Sequence, residues 1–280
     1  MRIGRKGPGV RRTEAVLGID LGTSQVKALV MGADGEMLGR GRAGYPVTAP
    51  AEGRAETGPE QWWGATVAAV REALADAAQG RTRSGLSGHS GLGGHSGIGG
   101  HSGIGGDRGL GGDSGLGGDS GLGADAGAGR DVEIAGVGVD GQMHGVVLAG
   151  EDGHPVRPAI LWLDRRAAAE ADRYERLPAE LTAPLGNQAS AGMAGPMLCW
   201  LAAHEPDAVR RARWALQPKD WLRLRLTGRA ATDPTDASGT LLFDLPRGAW
   251  AADLIAALGL PADKLPPVQA PAEKIGRAHV

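Results

Sequence analysis

An apolar run over residues 15–20, closed by Asp20 and the small residues Gly22, Thr23 and Ser24, predicts a strand that ends in a turn. A second apolar run at 26–31 and a third segment at 37–44 flank Ala33-Asp34-Gly35-Glu36, which predicts a tight hairpin. The period then changes. Trp63, Val67, Val70 and Leu74 recur at helical spacing behind Pro59, a good first helical residue, and predict a helix over 59–78. Further strands are expected at 132–139, 146–148 and 159–163, with a turn at Asp152-Gly153. Helices are expected at 165–177, 196–204, 218–227 (ended by Gly228) and 249–258. Strands followed by helices, with hairpins in the first half, predict one α/β domain.

Composition changes this picture in one place. Glycine accounts for 49 of 280 residues, and the excess is concentrated between Arg83 and Gly129. From Gly85 to Gly121 every third residue is Gly, within a recurring unit of the form GHSGLG and later GDSGLG. A collagen-like helix would need abundant Pro, which this segment lacks. His89, His95 and His101, followed by Asp107, Asp113, Asp119 and Asp125, leave a metal-binding reading open. Holding ligands on a Gly-rich tether is costly, however, and a disordered expansion of a surface loop is the reading adopted. Residues 81–130 are therefore expected to interrupt a domain spanning 15–270, with a loose basic tail at 1–14 and an artefactual end at 275–280.

The formal net charge of -2 gives no reason to expect nucleic acid or an anionic membrane as partner. A single cysteine, Cys199, excludes an intrachain disulfide framework. No apolar run reaches the ~18–20 residues that span a bilayer, so a soluble, cytoplasmic chain is expected. At the first turn, Gly22 lets backbone N–H groups approach a phosphate, and Thr23 and Ser24 add hydroxyls. Asp20 could hold Mg²⁺, usually through water. Taken alone, the same residues fit an ordinary hairpin with a polar turn.

Six segments, in order, carry a family resemblance: IDLGTSQVKALV at 19–30, Glu56-Thr57-Gly58-Pro59-Glu60-Gln61-Trp62-Trp63, Gly141-Gln142-Met143-His144-Gly145, Trp162-Leu163-Asp164-Arg165-Arg166, Pro218-Lys219-Asp220-Trp221-Leu222-Arg223 with Leu226-Thr227-Gly228, and Asp236-Ala237-Ser238-Gly239-Thr240. Together they resemble the FGGY carbohydrate kinases, and the GQMHG loop resembles the xylulokinase subgroup. Asp140, before that loop, stands where relatives commonly carry a small residue. The resemblance implies an actin-like (ribonuclease H-like) fold, a mixed sheet flanked by helices, and ATP-dependent phosphorylation of a ketose with ATP and Mg²⁺ as cofactors.

By the same resemblance Asp236 is the general base, and Met143 and His144 contact the sugar. Trp162, Asp164 and Arg165 support its pocket, and Asp20, Gly22, Thr23 and Ser24 hold the phosphates and the metal. Without the resemblance, Asp236 reads most often as a turn or helix cap, and the His-Met pair more often as core or loop filling than as a ligand contact. Asp233 is the alternative base, at a position no motif covers. Trp200, Trp214, Trp221 and Trp250 read as helix-packing residues. The family's second, ATP-binding domain is not represented in these residues, so negligible turnover is expected of 1–280 alone. A homodimer is one assembly open to the full-length chain. A non-catalytic sugar-binding protein is the competing class, with glycerol kinase, ribulokinase and gluconokinase as competitors within the enzyme class.

Overall fold

In the computed structural model, residues 12–79 and 131–273 are described, and the Gly-rich segment, most of the basic tail and residues 275–280 lie outside them. The first half contains β1 (Arg12–Leu21), β2 (Gln25–Gly32), β3 (Met37–Gly44), β4 (Glu56–Thr57), α1 (Pro59–Ala78) and β5 (Asp131–Gly141). Next come β6 (Val147–Ala149), β7 (Ala159–Ile160), α2 (Ala168–Tyr174), α3 (Ala179–Thr182), α4 (Ala194–His204) and α5 (Pro206–Arg211). The remainder holds β8 (Trp214–Leu216), α6 (Pro218–Thr227), α7 (Pro234–Ser238), β9 (Phe243–Asp244), β10 (Ala249–Trp250) and α8 (Ala252–Ala257).

The main sheet has the order β3-β2-β1-β5, antiparallel through the meander and parallel between β1 and β5. It is mixed, as expected, because the chain crosses over through α1 before adding β5. Along β1, Ala15, Leu17, Ile19 and Leu21 point into the core, while Val16, Gly18 and Asp20 point outward. The strand begins at Arg12, so the expected tail is shorter by its last three residues.

Helix α1 has the expected bounds but not the expected buried face. Trp62, Ala65, Thr66, Ala69, Val70, Ala73 and Ala77 are buried, whereas Leu74 is exposed and Trp63 and Val67 lie at the margin. The reason is close approach: a Cβ on Gly41 would lie 2.1 Å from the Ala69 carbonyl oxygen, and one on Gly39 2.2 Å from that of Ala73. Glycines on β3 and alanines on α1 let the two backbones meet, and larger side chains are turned away. The same helix covers the sheet edge, since the Arg40 and Arg42 N–H groups donate to the Asp76 and Glu72 carboxylates at 3.2 and 2.9 Å.

Two cores result. One lies between the sheet, α1 and α6, where Trp62 and Trp221 meet edge to face with centroids 5.8 Å apart. The other gathers Tyr174, Leu185, α4, Leu241, Leu242 and α8. Three expected elements are shorter than predicted. The strand at 159–163 stops at Ile160, because the Leu161 N–H turns to the Ala55 carbonyl and the Asp164 N–H to that of Leu161. The helix at 165–177 begins only at Ala168, because the Arg165 N–H donates to the Gly53 carbonyl and the Arg166 N–H to the Asp164 side chain. Residues 249–258 divide into β10 and α8. Among the described residues, no helix is long and apolar enough to cross a membrane.

Candidate functional site

The turn between β1 and β2 is tied to the rest of the molecule through Gly22. Its carbonyl accepts from the Tyr45 hydroxyl and, at 3.4 Å, from the Gln142 side chain, and its N–H donates to the Gln25 carbonyl. Thr23 Oγ1 accepts from the Trp162 indole N–H at 3.2 Å, which leaves the Thr23 hydroxyl proton free to donate elsewhere. Asp20 lies on the outer face of the sheet, 3.3 Å from Lys27 Nζ, and pairs in register with Asp140 on β5. Two adjacent hard-oxygen donors at strand ends fit a Mg²⁺ that keeps most of its water. A concave surface of about 1080 Å³ spreads over this outer face past Asp20, Lys27, Arg40, Arg42 and Asp140. Neither Met143, His144 nor Asp236 lines it.

The loop after β5 continues the sheet by one bond, from the Gln142 N–H to the Leu21 carbonyl at 2.7 Å, and then leaves it. Met143 is exposed, with 58% of its surface accessible. His144 has φ 66°, a left-handed conformation uncommon for a residue with a side chain. Its N–H donates to Gln217 Oε1 at 2.9 Å, and its ring Nδ1 lies 2.9 Å from the Gly239 carbonyl. A carbonyl only accepts, so Nδ1 carries the proton and Nε2 of the neutral ring is an acceptor. Burial holds the His144 pKa below the ordinary imidazole value, although the Gly239 carbonyl favours the charged ring. The ring has room only because residue 239 is glycine, since a Cβ there would stand 3.0 Å from both Cε1 and Nδ1.

Asp236 is on α7, whose N-cap is Asp233. One Asp233 oxygen accepts the Thr235 and Asp236 N–H groups at 3.0 and 3.1 Å, and the other accepts from Lys219 at 2.6 Å. Asp233 is thus committed to capping and pairing, whereas the Asp236 carboxylate has Lys219 Nζ at 3.1 Å and bonds no backbone amide. Burial pushes the Asp236 pKa up to about 6; Lys219 pulls it back and the nearby Asp220 charge adds to the rise. Burial opposes the Lys219 charge, but Asp220 and Asp236 more than offset it and hold that ammonium ionised. Asp220, Asp233 and Asp236 could in principle ligate a cation. The Lys219 ammonium already lies within 3.1 Å of all three, so the cluster carries its own cation.

Among the predicted site residues, the structure joins Thr23 to Trp162, and His144 to the α7 end that carries Asp236. It does not bring Asp164 or Arg165 to the loop of Met143 and His144. Asp164 is buried and saturated, accepting from the Ala55 N–H at 2.7 Å and from the Arg166 N–H, Nε and Nη2 at 2.8–2.9 Å. Burial would raise its pKa, but the Arg166 and Ala55 bonds prevail and lower it. Arg165 is exposed, and its backbone holds Gly53. The residue that works at this place is Arg166, which also pairs with Glu56 at 2.7 Å and lies 4.9 Å over the Trp200 ring. The W-x-D-x-R spacing ends on Arg166 and could have signalled it. Lys219 lies in a quoted motif but is given no role there, and Gln217 has no signal in sequence because its partners His144 and Asp236 are distant.

Comparison with known proteins follows the same lines. The description "FGGY family of carbohydrate kinases, N-terminal domain" matches residues 15–87 and 129–279. A xylulose kinase of Escherichia coli (strain K12) is 31% identical over 250 residues, covering 89% of this chain and 41% of that protein. A glycerol kinase of Trichlorobacter lovleyi is 30% identical over 262 residues, covering 90% of this chain and 43% of its own length. The crystal structure of a xylulose kinase from Rhodospirillum rubrum superposes with a TM-score of 0.71 at 22% identity, over 95% of this chain and 44% of that one. The chain therefore spans about two fifths of the length of the relatives it matches. With the family description matching most of its length, the chain belongs to the FGGY family of carbohydrate kinases.

Proposed function

We propose that these residues form the sugar-binding half of an ATP-dependent cytoplasmic kinase that converts D-xylulose to D-xylulose 5-phosphate. The observation that carries this reading is the placement of Asp236, a partly buried carboxylate with its pKa raised to about 6, on the short helix whose end touches His144. Asp236 takes the proton of the ketose primary hydroxyl, that oxygen forms a bond to the γ-phosphorus, and ADP leaves with the electrons of the broken P–O bond. A base with a pKa near 6 is ionised at neutral pH yet basic enough to accept a proton that is being lost.

His144 Nε2 accepts from a ketose hydroxyl and Met143 packs against the carbon chain. Trp162 closes the pocket on the side of the turn. The hydroxyls of Thr23 and Ser24 donate to phosphate oxygens, while Gly22, whose own N–H is held by the Gln25 carbonyl, shapes the turn that presents them. Asp20 and Asp140 would hold Mg²⁺, which would supply charge neutralisation for the transferring phosphoryl group. Asp164 supports the pocket by fixing Arg166, and Arg165 by holding the Gly53 loop through its backbone.

The test uses a polypeptide that carries these residues at the relatives' full length. Phosphorylation of D-xylulose is measured beside D-ribulose, L-ribulose, gluconate and glycerol. Asp236→Ala should lower kcat by roughly 10²–10⁴. Preference for glycerol would favour the reading that the Trichlorobacter relative suggests. Binding of a sugar without turnover would favour a sugar-binding protein.

A further inference from the structure

Gln217 belongs to no motif, yet its side chain spans the two halves of the site. It lies between β8 and α6, only 4% exposed, and uses both ends of its amide. Oε1 accepts the His144 N–H at 2.9 Å, and Nε2 donates to the backbone carbonyl of Asp236. Its own carbonyl accepts the Trp221 N–H at 2.9 Å, so the side chain springs from the anchored first turn of α6. Both elements that it joins need holding. His144 sits in the left-handed region, and α7 is a helix of five residues that cannot fix its own direction.

We propose that Gln217 is a positioning residue that sets the spacing between the sugar-contacting His144 and the proton-accepting Asp236. This rests on the kinase reading of the two residues. The amide matters because no other side chain of this length offers an acceptor and a donor together. Glutamate keeps the acceptor for His144 and loses the donor for Asp236, methionine keeps neither, and asparagine is one methylene short of reaching both. The two functions of the clamp are therefore separable by substitution.

The first measurement does not depend on the reaction. Amide hydrogen exchange and imidazole ¹⁵N shifts are recorded on this chain with Gln217→Met and Gln217→Glu, at about pH 8, where an ordinary carboxyl is ionised. The His144 N–H should exchange about tenfold faster or more in the Met variant and stay protected in the Glu variant, while the amides of α6 are unchanged in both. The Nδ1–H signature of the His144 ring should weaken only in the Met variant. Unchanged His144 exchange in a folded Met variant, or general loss of α6 protection in both, overturns the clamp whatever the protein catalyses.

The second measurement is turnover at the relatives' full length. Gln217→Glu should lower kcat about tenfold with KM for D-xylulose nearly constant, and Gln217→Met should also raise KM. Equal and small effects on both constants in the Glu variant would overturn the positioning role. Absence of turnover in the unsubstituted protein would instead overturn the kinase reading and leave the exchange result standing.

Discussion

Two lysine–carboxylate contacts illustrate how differently the same chemistry can be used in this molecule. Lys27 meets Asp20 at 3.3 Å on the outer face of the sheet, with side chains 58% and 46% exposed. Lys219 meets Asp220, Asp233 and Asp236 at 2.8, 2.6 and 3.1 Å in a site where its own side chain is 10% exposed. Water screens the first pair and leaves its members free to exchange partners. At the second, one ammonium balances carboxylates that have lost most of their solvent, so removing it would strand them. The exposed pair is open to exchange, while in the buried cluster the Asp236 pKa stays raised to about 6 in spite of its lysine.

The largest effect expected from breaking this contrast is that of Lys219→Met. Asp220 is fully enclosed and would retain only Arg223, 3.0 Å away, as counter-charge. Loss of one member of a buried ionic group typically costs about 3–5 kcal/mol. Urea unfolding of the variant should show a loss in that range, and a loss below about 1 kcal/mol would mean that the cluster is far better hydrated than its burial indicates.

Next in size is a pH effect from Asp236. Its folded pKa of about 6 lies above the ordinary carboxyl value, so between those two pH values the folded protein binds more protons than the unfolded chain. Its contribution to stability is fully present below the unfolded pKa and is lost as pH rises through the folded one. A rise of about two units corresponds to roughly 3 kcal/mol across that window. Denaturation from about pH 4 to 7 should show this decline in the unsubstituted chain and a flatter profile in Asp236→Asn. In a full-length enzyme, the acid limb of kcat/KM should fall at about 6 for the same reason.

A smaller effect is expected from Gly239→Ala. The added methyl would stand 3.0 Å from the His144 ring, which must then rotate away from the Gly239 carbonyl. Backbone conformation poses no obstacle, since φ at 239 is -69°. Stability should change by about 1 kcal/mol, the low end of overpacking, while ketose affinity measured by calorimetry drops more than stability does. Equal affinity with and without the methyl would remove His144 from the sugar contact.

The same contrast explains what could be read from the chain. The Asp20–Ser24 turn, α1 and α6 are local: a Pro at the first helical position, a Gly after α6 and an apolar run before the turn define them within a few residues. The Asp236 end is assembled from β5, β8, α6 and α7, with His144 and Gly239 separated by 95 positions. Gln217 stands outside every motif, because its partners His144 and Asp236 lie 73 and 19 positions away. Arg166 was legible in the motif spacing, yet its neighbour Arg165 was placed in the pocket instead. Of the α1 residues that mark the helical spacing only Val70 is buried, because Gly39 and Gly41 favour small side chains opposite them.

The smallest expected change sharpens the comparison from its exposed side. Lys27→Met removes the ammonium beside Asp20, and for so open a pair a stability change of about 0–1 kcal/mol is expected, shrinking further as salt is added. The informative quantity is the ratio to Lys219→Met under identical conditions. If Asp20 is a landing point for a hydrated cation, losing its lysine should also make Mg²⁺ association at this face stronger, because the carboxylate no longer shares its charge. A titration of Mg²⁺ followed by the NMR shifts of Asp20 and Gly22 would read this directly. Stronger shifts at lower Mg²⁺ in Lys27→Met would fit that role. Identical shifts in both proteins would leave the Lys27 contact as a surface pair and exclude Asp20 as a landing point for Mg²⁺.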